Sequence, residues 1–425
     1  MNAKNGSVKN GLEWLLSLLF ILEVNSVFVN SVDYNFYISE LACLCVAILF
    51  LICVKSMKKK VASFLALYET LALVYLVSSR GSPTIISYII KFIIFLPIMI
   101  LLYTYDTDIP KRIILKISSI TVFLSGASLI MYTLSYFAPS LGVFRVDWGT
   151  VTNYGNYIFY FYCPTQIQRI GSLNITRNVG IFSEAPMYGF ILVMALCTQL
   201  FYYNRPNKKN IVIICITIIT TVSVTAVGMT VILFYLKMYL GNYSIDDKRV
   251  RLISSKYRSA AKFFIITVGG VIVACALYIL LTYKQNTGNS YVKRLDDYHA
   301  AFQLFKTAPL FGVGYGQGDM LQDYMLDWRV MYTNLGYSNA VGLILCTMGL
   351  YGIFLYLFGF TVGIYQSLKD KKFYYAIQFG TLIALMIVTV VPMQLYVLQY
   401  IAFGYSFIYR NRGLPFDKRI SSLST

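Results

Sequence analysis

Arg177 and Glu184 lie close together in the stretch Arg177-Asn178-Val179-Gly180-Ile181-Phe182-Ser183-Glu184-Ala185-Pro186-Met187-Tyr188-Gly189. A guanidinium is a planar fork suited to bidentate phosphate binding, and a carboxylate beside it is a candidate general base. Two plainer readings stay open. The pair could be a lone structural salt bridge. Alternatively Glu184, with Ser183 before it and Pro186 two positions on, could cap a helix start and complement its dipole. The single histidine, His299, adjoins the apolar face of a helical segment, so either an acid–base or a structural role is open to it. Glu23, Glu69 and Lys91 fall inside apolar runs, where an ionisable group is costly and therefore a functional candidate. Their alternatives are snorkelling for Lys91 and pairing within the helix bundle for the glutamates. His, Cys, Asp and Glu do not cluster at ligand spacing, so neither a metal nor another cofactor is expected.

These residues belong to a chain of 425 residues that is 58% hydrophobic and 13% charged. Apolar runs of about 20 residues recur along it, the length that crosses a bilayer core. The expected fold is an all-α polytopic membrane protein forming a single transmembrane domain over residues 1–425. The first run, Leu12 to Asn30, contains Glu13 and Glu23 and no small-residue cleavage pattern follows it, so it reads as a retained span. Net charge is +18, with the basic residues clustered at Lys55 to Lys60, Lys111 to Lys116, Arg205 to Lys209, Lys248 to Lys262, Lys369 to Lys372 and Arg410 to Arg419. Such clusters mark the cytoplasmic face, so the charge is a topology signal and implies no nucleic-acid partner. Of the eight cysteines only Cys163 falls in a long loop, which excludes a disulfide framework.

Spans are expected near 12–31, 36–54, 61–78, 84–104, 113–136 and from Glu184 to Arg205. The run Ile211 to Leu240 is flanked by basic clusters that must both be cytoplasmic. It is therefore expected to split into two short pieces that turn near Val222 to Gly228, with the polar turn shielded inside the protein. Further spans near 262–282, 340–366, 373–391 and 393–409 bring the expectation to about twelve, with both termini inside. Parity then places two long connections outside, residues 137–183 and 283–337, and long loops on a rigid scaffold commonly carry function. The first contains Arg145, Asp147, Arg169, Arg177 and the aromatic stretch Tyr154 to Tyr162, which reads as a short strand or hairpin. Those rings could stack on sugars or form an interfacial belt. The second opens with Lys293-Arg294-Leu295-Asp296-Asp297-Tyr298-His299. It continues as an amphipathic helix with Leu295, Tyr298, Phe302 and Phe305 on one face, expected to lie along the membrane surface. Its glycine-rich end, Pro309 to Gly316, departs from the dinucleotide fingerprint at Gln317. It reads as a tight turn that lets backbone approach a ligand or a neighbouring helix.

Three stretches, in this order, resemble the bacterial O-antigen polymerase and O-antigen ligase superfamily. They are Arg177-x-x-Gly180-x-Phe182-x-Glu184-x-Pro186-x-x-Gly189, then Arg294 through Ala301 followed by Phe305-x-x-x-Pro309-Leu310-Phe311-Gly312-Val313-Gly314, then Ser338-Asn339 leading to Gly349-x-x-Gly352. Members are multi-span glycosyltransferases acting on undecaprenyl-diphosphate-linked sugars at the outer face of the inner membrane. The resemblance implies about twelve transmembrane helices in a fold of the GT-C glycosyltransferase type. A leucine is usual in the superfamily where this chain has Gly342, and ligases carry a histidine where it has Ser338; loss of that histidine argues for a polymerase.

Carried over residue by residue, the resemblance implies that Arg177 and Arg294 hold the donor diphosphate, with Arg169, Lys91, Tyr337 and Asn339 as further binding candidates. Preorganised cations would stabilise charge on the departing diphosphate, an activated leaving group that demands no metal. Glu184 is then the best candidate base, with His299 and the Asp296–Asp297 pair behind it. The implied partners are an undecaprenyl-diphosphate-linked oligosaccharide, membrane lipid and a chain-length regulator protein. The alternatives are an O-antigen ligase transferring glycan to lipid A core, and, from another class, a polysaccharide flippase or transporter, for which charged residues within the spans are equally natural.

Overall fold

The computed structural model describes residues 3–30, 38–54, 59–79, 84–137, 143–147, 154–158, 161, 166–170, 173–203, 206–240, 290–331, 336–337, 339–389 and 393–409. The span expected near 262–282 and the position of Ser338 lie outside them. Among the described residues the longer helices are α1 Ala3–Leu22, α2 Ile38–Cys53, α3 Lys59–Ser78, α4 Ile85–Tyr105 and α5 Ile109–Phe137, then α6 Ala185–Phe201, α7 Lys208–Thr220, α8 Val224–Leu240 and α9 Ser290–Thr307, and finally α10 Ala340–Lys369, α11 Phe373–Val388 and α12 Leu395–Tyr409. Among the described residues four helices, α3, α4, α5 and α10, are long and apolar enough to cross a membrane. Shorter apolar helices, α2, α6, α8, α11 and α12, pack with them, as in a membrane-embedded protein. Helix α6 is buried on all sides from Ala185 to Leu200 except at Pro186, with α5, α7, α8 and α11 around it. A helix apolar on every face belongs in the centre of a bundle.

Two elements depart from the sequence expectation, the end of α1 and a second hairpin in the first long loop. The first span was expected at 12–31, but α1 stops at Leu22 and the chain turns through Asn25, a left-handed residue at φ 49°. Just past its end the Glu23 carboxylate accepts from Lys91 Nζ at 2.5 Å and from the Leu395 N–H at 2.6 Å. The chain is mostly helical, as expected, and the first long loop adds four strands. Strands β1 Val143–Asp147 and β2 Tyr154–Ile158 pair antiparallel, the hairpin foreseen in the aromatic stretch. Strands β3 Ile167–Ile170 and β4 Leu173–Thr176 pair with Ile170 opposite Leu173, a second hairpin with no sequence expectation behind it. The 211–240 run does divide in two: α7 and α8 meet at Thr221, Val222 and Ser223, with Val222 at φ 50° and the flanking Thr221 and Ser223 buried.

Helix α10 is broken in mid-course. Gly349 sits at φ 62°, ψ −152°, which removes it from the helical ladder. The glycine-rich turn after α9 crosses at this point and replaces the missing partners. Val313 N–H and Gly314 N–H donate to Cys346 O and Thr347 O at 2.9 and 3.0 Å, while Leu350 N–H and Tyr351 N–H donate to Pro309 O and Leu310 O at 2.9 and 3.1 Å. Tyr75 Oη donates to Thr347 O from α3 at 3.0 Å. The turn thus approaches a neighbouring helix, one of the two readings its glycines allowed. A Cβ on Gly312 would lie 2.4 Å from the Thr347 carbonyl carbon, and one on Gly349 would lie 2.5 Å from the Gly312 nitrogen, so backbone meets backbone at both residues.

Helix α9 docks through Asp296, Asp297, Ala300, Ala301 and Leu304, all buried. The face expected to be apolar and membrane-seeking, Leu295, Tyr298 and Phe302, is exposed. Asp296 and Asp297 both accept from Arg329 Nη1, at 2.7 and 2.8 Å, and all three side chains are buried. Arg329 Nη2 also donates to Gly336 O at 2.8 Å, and Tyr337 Oη donates to Asp297 O at 3.0 Å. A helix with carboxylates on its buried face is held by its counter-ion. Removing one partner of such a group costs about 3–5 kcal/mol, so Arg329→Ala should lower the thermal midpoint of the detergent-solubilised protein strongly; an unchanged midpoint would contradict this account. Gly349→Ala should likewise abolish the monodisperse gel-filtration peak, because the added methyl displaces the crossing turn and orphans backbone groups of α10.

Candidate active site

The segment from Arg177 to Glu184 joins β4 to the buried helix α6, and its course follows from its residue types. Asn178 Oδ1 accepts from the Gly180 N–H at 3.0 Å, a local turn that Gly180 completes at φ 55°. Phe182 stacks on Tyr188 with ring centroids 5.3 Å apart, and Tyr188 Oη meets Ser128 Oγ at 2.8 Å. Ser183 N–H and Ser183 Oγ both donate to Asn25 O, at 3.0 and 3.1 Å. Glycine, aromatic and serine therefore bend the chain, anchor it in the core and tie it to the turn after α1.

Arg177 is half-buried against the turn between α7 and α8. Its Nε donates to Thr221 O at 3.0 Å, and the neighbouring Asn178 N–H donates to Thr220 O at 2.9 Å. With Nε committed, the two Nη groups have no protein partner among the described residues, which leaves the outer edge of the fork for a ligand. Glu184 occupies the N-cap position of α6 with extended backbone, φ −141° and ψ 146°, yet its side chain makes no capping bond. The capping alternative is therefore corrected, and the first N–H of the helix, that of Ala185, donates to Gln166 Oε1 at 3.3 Å. Glu184 keeps one open face, while burial of the rest pushes its carboxyl above the ordinary carboxylate range and Arg177 acts in the opposite direction. Burial likewise pushes the Arg177 guanidinium down, with Glu184 drawing it back up. The two form an electrostatic couple without a hydrogen-bonded ion pair.

The other sequence candidates fall into separate groups. Lys91 does not snorkel. It lies in a wider π-type turn, Ile89–Phe95, where Leu96 N–H reaches back to Lys91 O ahead of Pro97, which has no N–H to give. Besides Glu23, its Nζ donates to Met393 O at 3.2 Å. Asp296 and Asp297, the reserve candidates for a base, are occupied by Arg329. His299 is exposed on α9, with Nε2 3.1 Å from Gln303 Nε2, and Arg294 is half-buried one turn before it. Among the described residues no hydrogen bond or ion pair links Arg294 or His299 to Arg177 or Glu184. Tyr337 packs on α9 through Asp297 O. Asn339 caps α10, its Oδ1 accepting from the Gly342 N–H at 3.1 Å, while its Nδ2 is buried without a partner. Arg169 belongs to β3 and Arg145 to β1; their side chains lie outside the description.

Sequence reasoning missed three contributors. Gln166 and the turn carbonyls of Thr220 and Thr221 carry no motif, since backbone acceptors and a lone glutamine look alike anywhere in a chain. Arg329 had a faint signal: two adjacent aspartates on one helix require a cation nearby if they are buried.

Residues 178–357 match the family model described as O-antigen ligase. No curated protein matches the chain. The matched stretch begins one residue after Arg177 and takes in Glu184, α6 to α9, Arg329, Asn339 and the break in α10. Members of this family are glycosyltransferase-like enzymes of O-antigen biosynthesis. Over this stretch the chain is similar to the O-antigen polymerase and ligase superfamily.

Proposed function

We propose that this protein is a polymerase of lipid-linked O-antigen repeat units, with about twelve spans in a GT-C type arrangement and its active site on the periplasmic face of the inner membrane. The observation that carries the reading is the Arg177–Glu184 couple at the entrance to the buried helix α6, where a fork with a free outer edge faces a carboxylate with a raised pKa. The growing glycan is the donor, attached through its reducing-end sugar to undecaprenyl diphosphate, and a hydroxyl at the non-reducing end of a new lipid-linked unit is the acceptor. The acceptor oxygen bonds to the donor's anomeric carbon as the bond from that carbon to the phosphate oxygen breaks. The electron pair leaves with undecaprenyl diphosphate, and the hydroxyl proton passes to Glu184. Arg177 stabilises the negative charge that gathers on the departing diphosphate, and Arg294 supplies a second outside cation. Diphosphate is a good leaving group, so the reaction needs no metal. Lys91, tied to Glu23, and Tyr337, Asn339 and His299 keep partners of their own and are given no part in the transfer step; Arg169, on the hairpin that leads to Arg177, is proposed as a further diphosphate contact. A chain-length regulator would act on this enzyme from outside the chain.

The second reading, ligase, is favoured by the description of the matched family. Ser338 supports the polymerase, because the histidine of the ligases is missing there. Cells lacking the protein should display lipopolysaccharide with a single repeat; lipopolysaccharide with no repeat at all would assign it as the ligase instead. Arg177→Lys keeps the charge but loses the fork, and removal of one preorganised donor costs about 10²–10³-fold in rate. Arg177→Lys and Arg294→Lys should therefore both yield short chains in a gel-ladder assay, and full polymer length in both would overturn the arginine roles. Glu184 works only when ionised, so activity should be lost as pH falls through its raised pKa, giving an acid limb above that of an ordinary carboxylate. Glu184→Gln should remove the activity.

A further inference from the structure

Glu184 is bracketed by one side chain. The peptide before its Cα offers Ser183 O, which accepts from Gln166 Nε2 at 2.6 Å, and the peptide after it offers the Ala185 N–H, which donates to Gln166 Oε1 at 3.3 Å. Two bonds from one planar amide to the two peptides flanking a residue fix both of its backbone dihedrals, as a neighbouring strand would. The extended backbone of Glu184 is the conformation so held. The main chain of Gln166 reaches the other half of the site, its O accepting from the Arg177 N–H at 2.8 Å. By satisfying the Ala185 N–H, the glutamine also answers the first of the free N–H groups at the start of α6, while the Glu184 side chain makes no capping bond.

We propose that Gln166 is a positioning residue for glycosyl transfer, fixing the backbone of Glu184 in the extended conformation that presents its carboxylate to the acceptor hydroxyl. The inference rests on the reading of Glu184 as the base. It separates the two halves of the site: the Gln166 side chain serves the base, while Arg177 is held through the Gln166 backbone and through Thr221 O, neither of which a side-chain substitution removes. Arg177 is the charged group acting on Glu184 among the described residues; Asn25, Ser183 and Thr221, from the other elements packed there, are neutral.

The test uses the full chain in proteoliposomes with lipid-linked repeat units extracted from cells lacking this protein, and measures kcat, KM and the pH profile. Gln166→Met keeps the length of the side chain and loses both bonds. It should lower kcat roughly 10- to 100-fold, the scale of a misplaced catalytic group, with KM unchanged. Gln166→Glu keeps an acceptor for the Ala185 N–H but sets a second carboxylate beside Glu184, so its acid limb should move to higher pH. Wild-type kcat and acid limb in both variants, with Glu184→Gln inactive, would overturn the positioning role and leave Glu184 as the base. A fully active Glu184→Gln would overturn the base and the positioning role with it. A lower folded yield together with an unmoved acid limb in Gln166→Glu would reduce Gln166 to a folding role and also overturn the proposal.

Discussion

Within a membrane a polypeptide must satisfy its own N–H and C=O groups, and every interruption of a helix there has to be answered by other protein atoms. This chain interrupts its helices repeatedly and answers the breaks with backbone or side-chain groups from distant segments. At Gly349 the turn Pro309 to Gly314 supplies two donors and two acceptors to the open ladder of α10. Between α7 and α8 the carbonyls of Thr220 and Thr221 are taken up by Asn178 and Arg177. At the end of α1 the carbonyl of Asn25 receives both the N–H and the hydroxyl of Ser183, and the carboxylate of Glu23 receives the first N–H of α12.

Two of these repairs converge on the segment from Arg177 to Glu184, which is how a loop outside the bundle acquires a defined shape. Arg177 fills a helix break, and in doing so commits Nε while its other nitrogens take no partner among the described residues. Ser183 fills another, and so places Glu184 at the mouth of α6. The same logic explains the buried pair of Lys91 and Glu23. A lone charge in this environment is prohibitive, but a pair that also bonds Met393 O and the Leu395 N–H satisfies a helix start and costs far less. Gln394 Nε2 reaches Asn25 Oδ1 at 2.8 Å from the same helix start, so the turn beneath Ser183 is fastened on two sides.

Charge in the second long loop serves structure in the same manner. Asp296 and Asp297 read in sequence as a possible acid–base pair, yet burial with Arg329 makes them the anchor of α9. The aromatic face of α9 is consequently turned outward, and Arg294 and His299 ride on the outer and edge positions of the same helix. The surface orientation of that helix is thus decided by one buried cation.

Much of the fold was legible in the sequence because it depends on local composition. Apolar run length located most of the helices within a few residues. Basic flanks on both sides of Ile211 to Leu240 called for a break, and alternating rings with Gly155 and Asn156 announced a hairpin. The juxtaposition of Arg177 and Glu184 was also legible, since the two residues lie within one turn and the start of one helix. What the sequence could not state is which partner each polar group takes. Gln166 on the peptides around Glu184, Arg329 on Asp296 and Asp297, Glu23 on Lys91 and Leu395, and the Pro309 to Gly314 turn on the broken α10 are contacts between segments whose separation in the chain carries no periodic signal. Hydrophobic patterning reports which residues leave water, and packing alone then determines which donor meets which acceptor. The presence of an arginine and a carboxylate at the entrance to α6 was therefore written in the sequence, whereas the direction in which each points was decided by the tertiary structure.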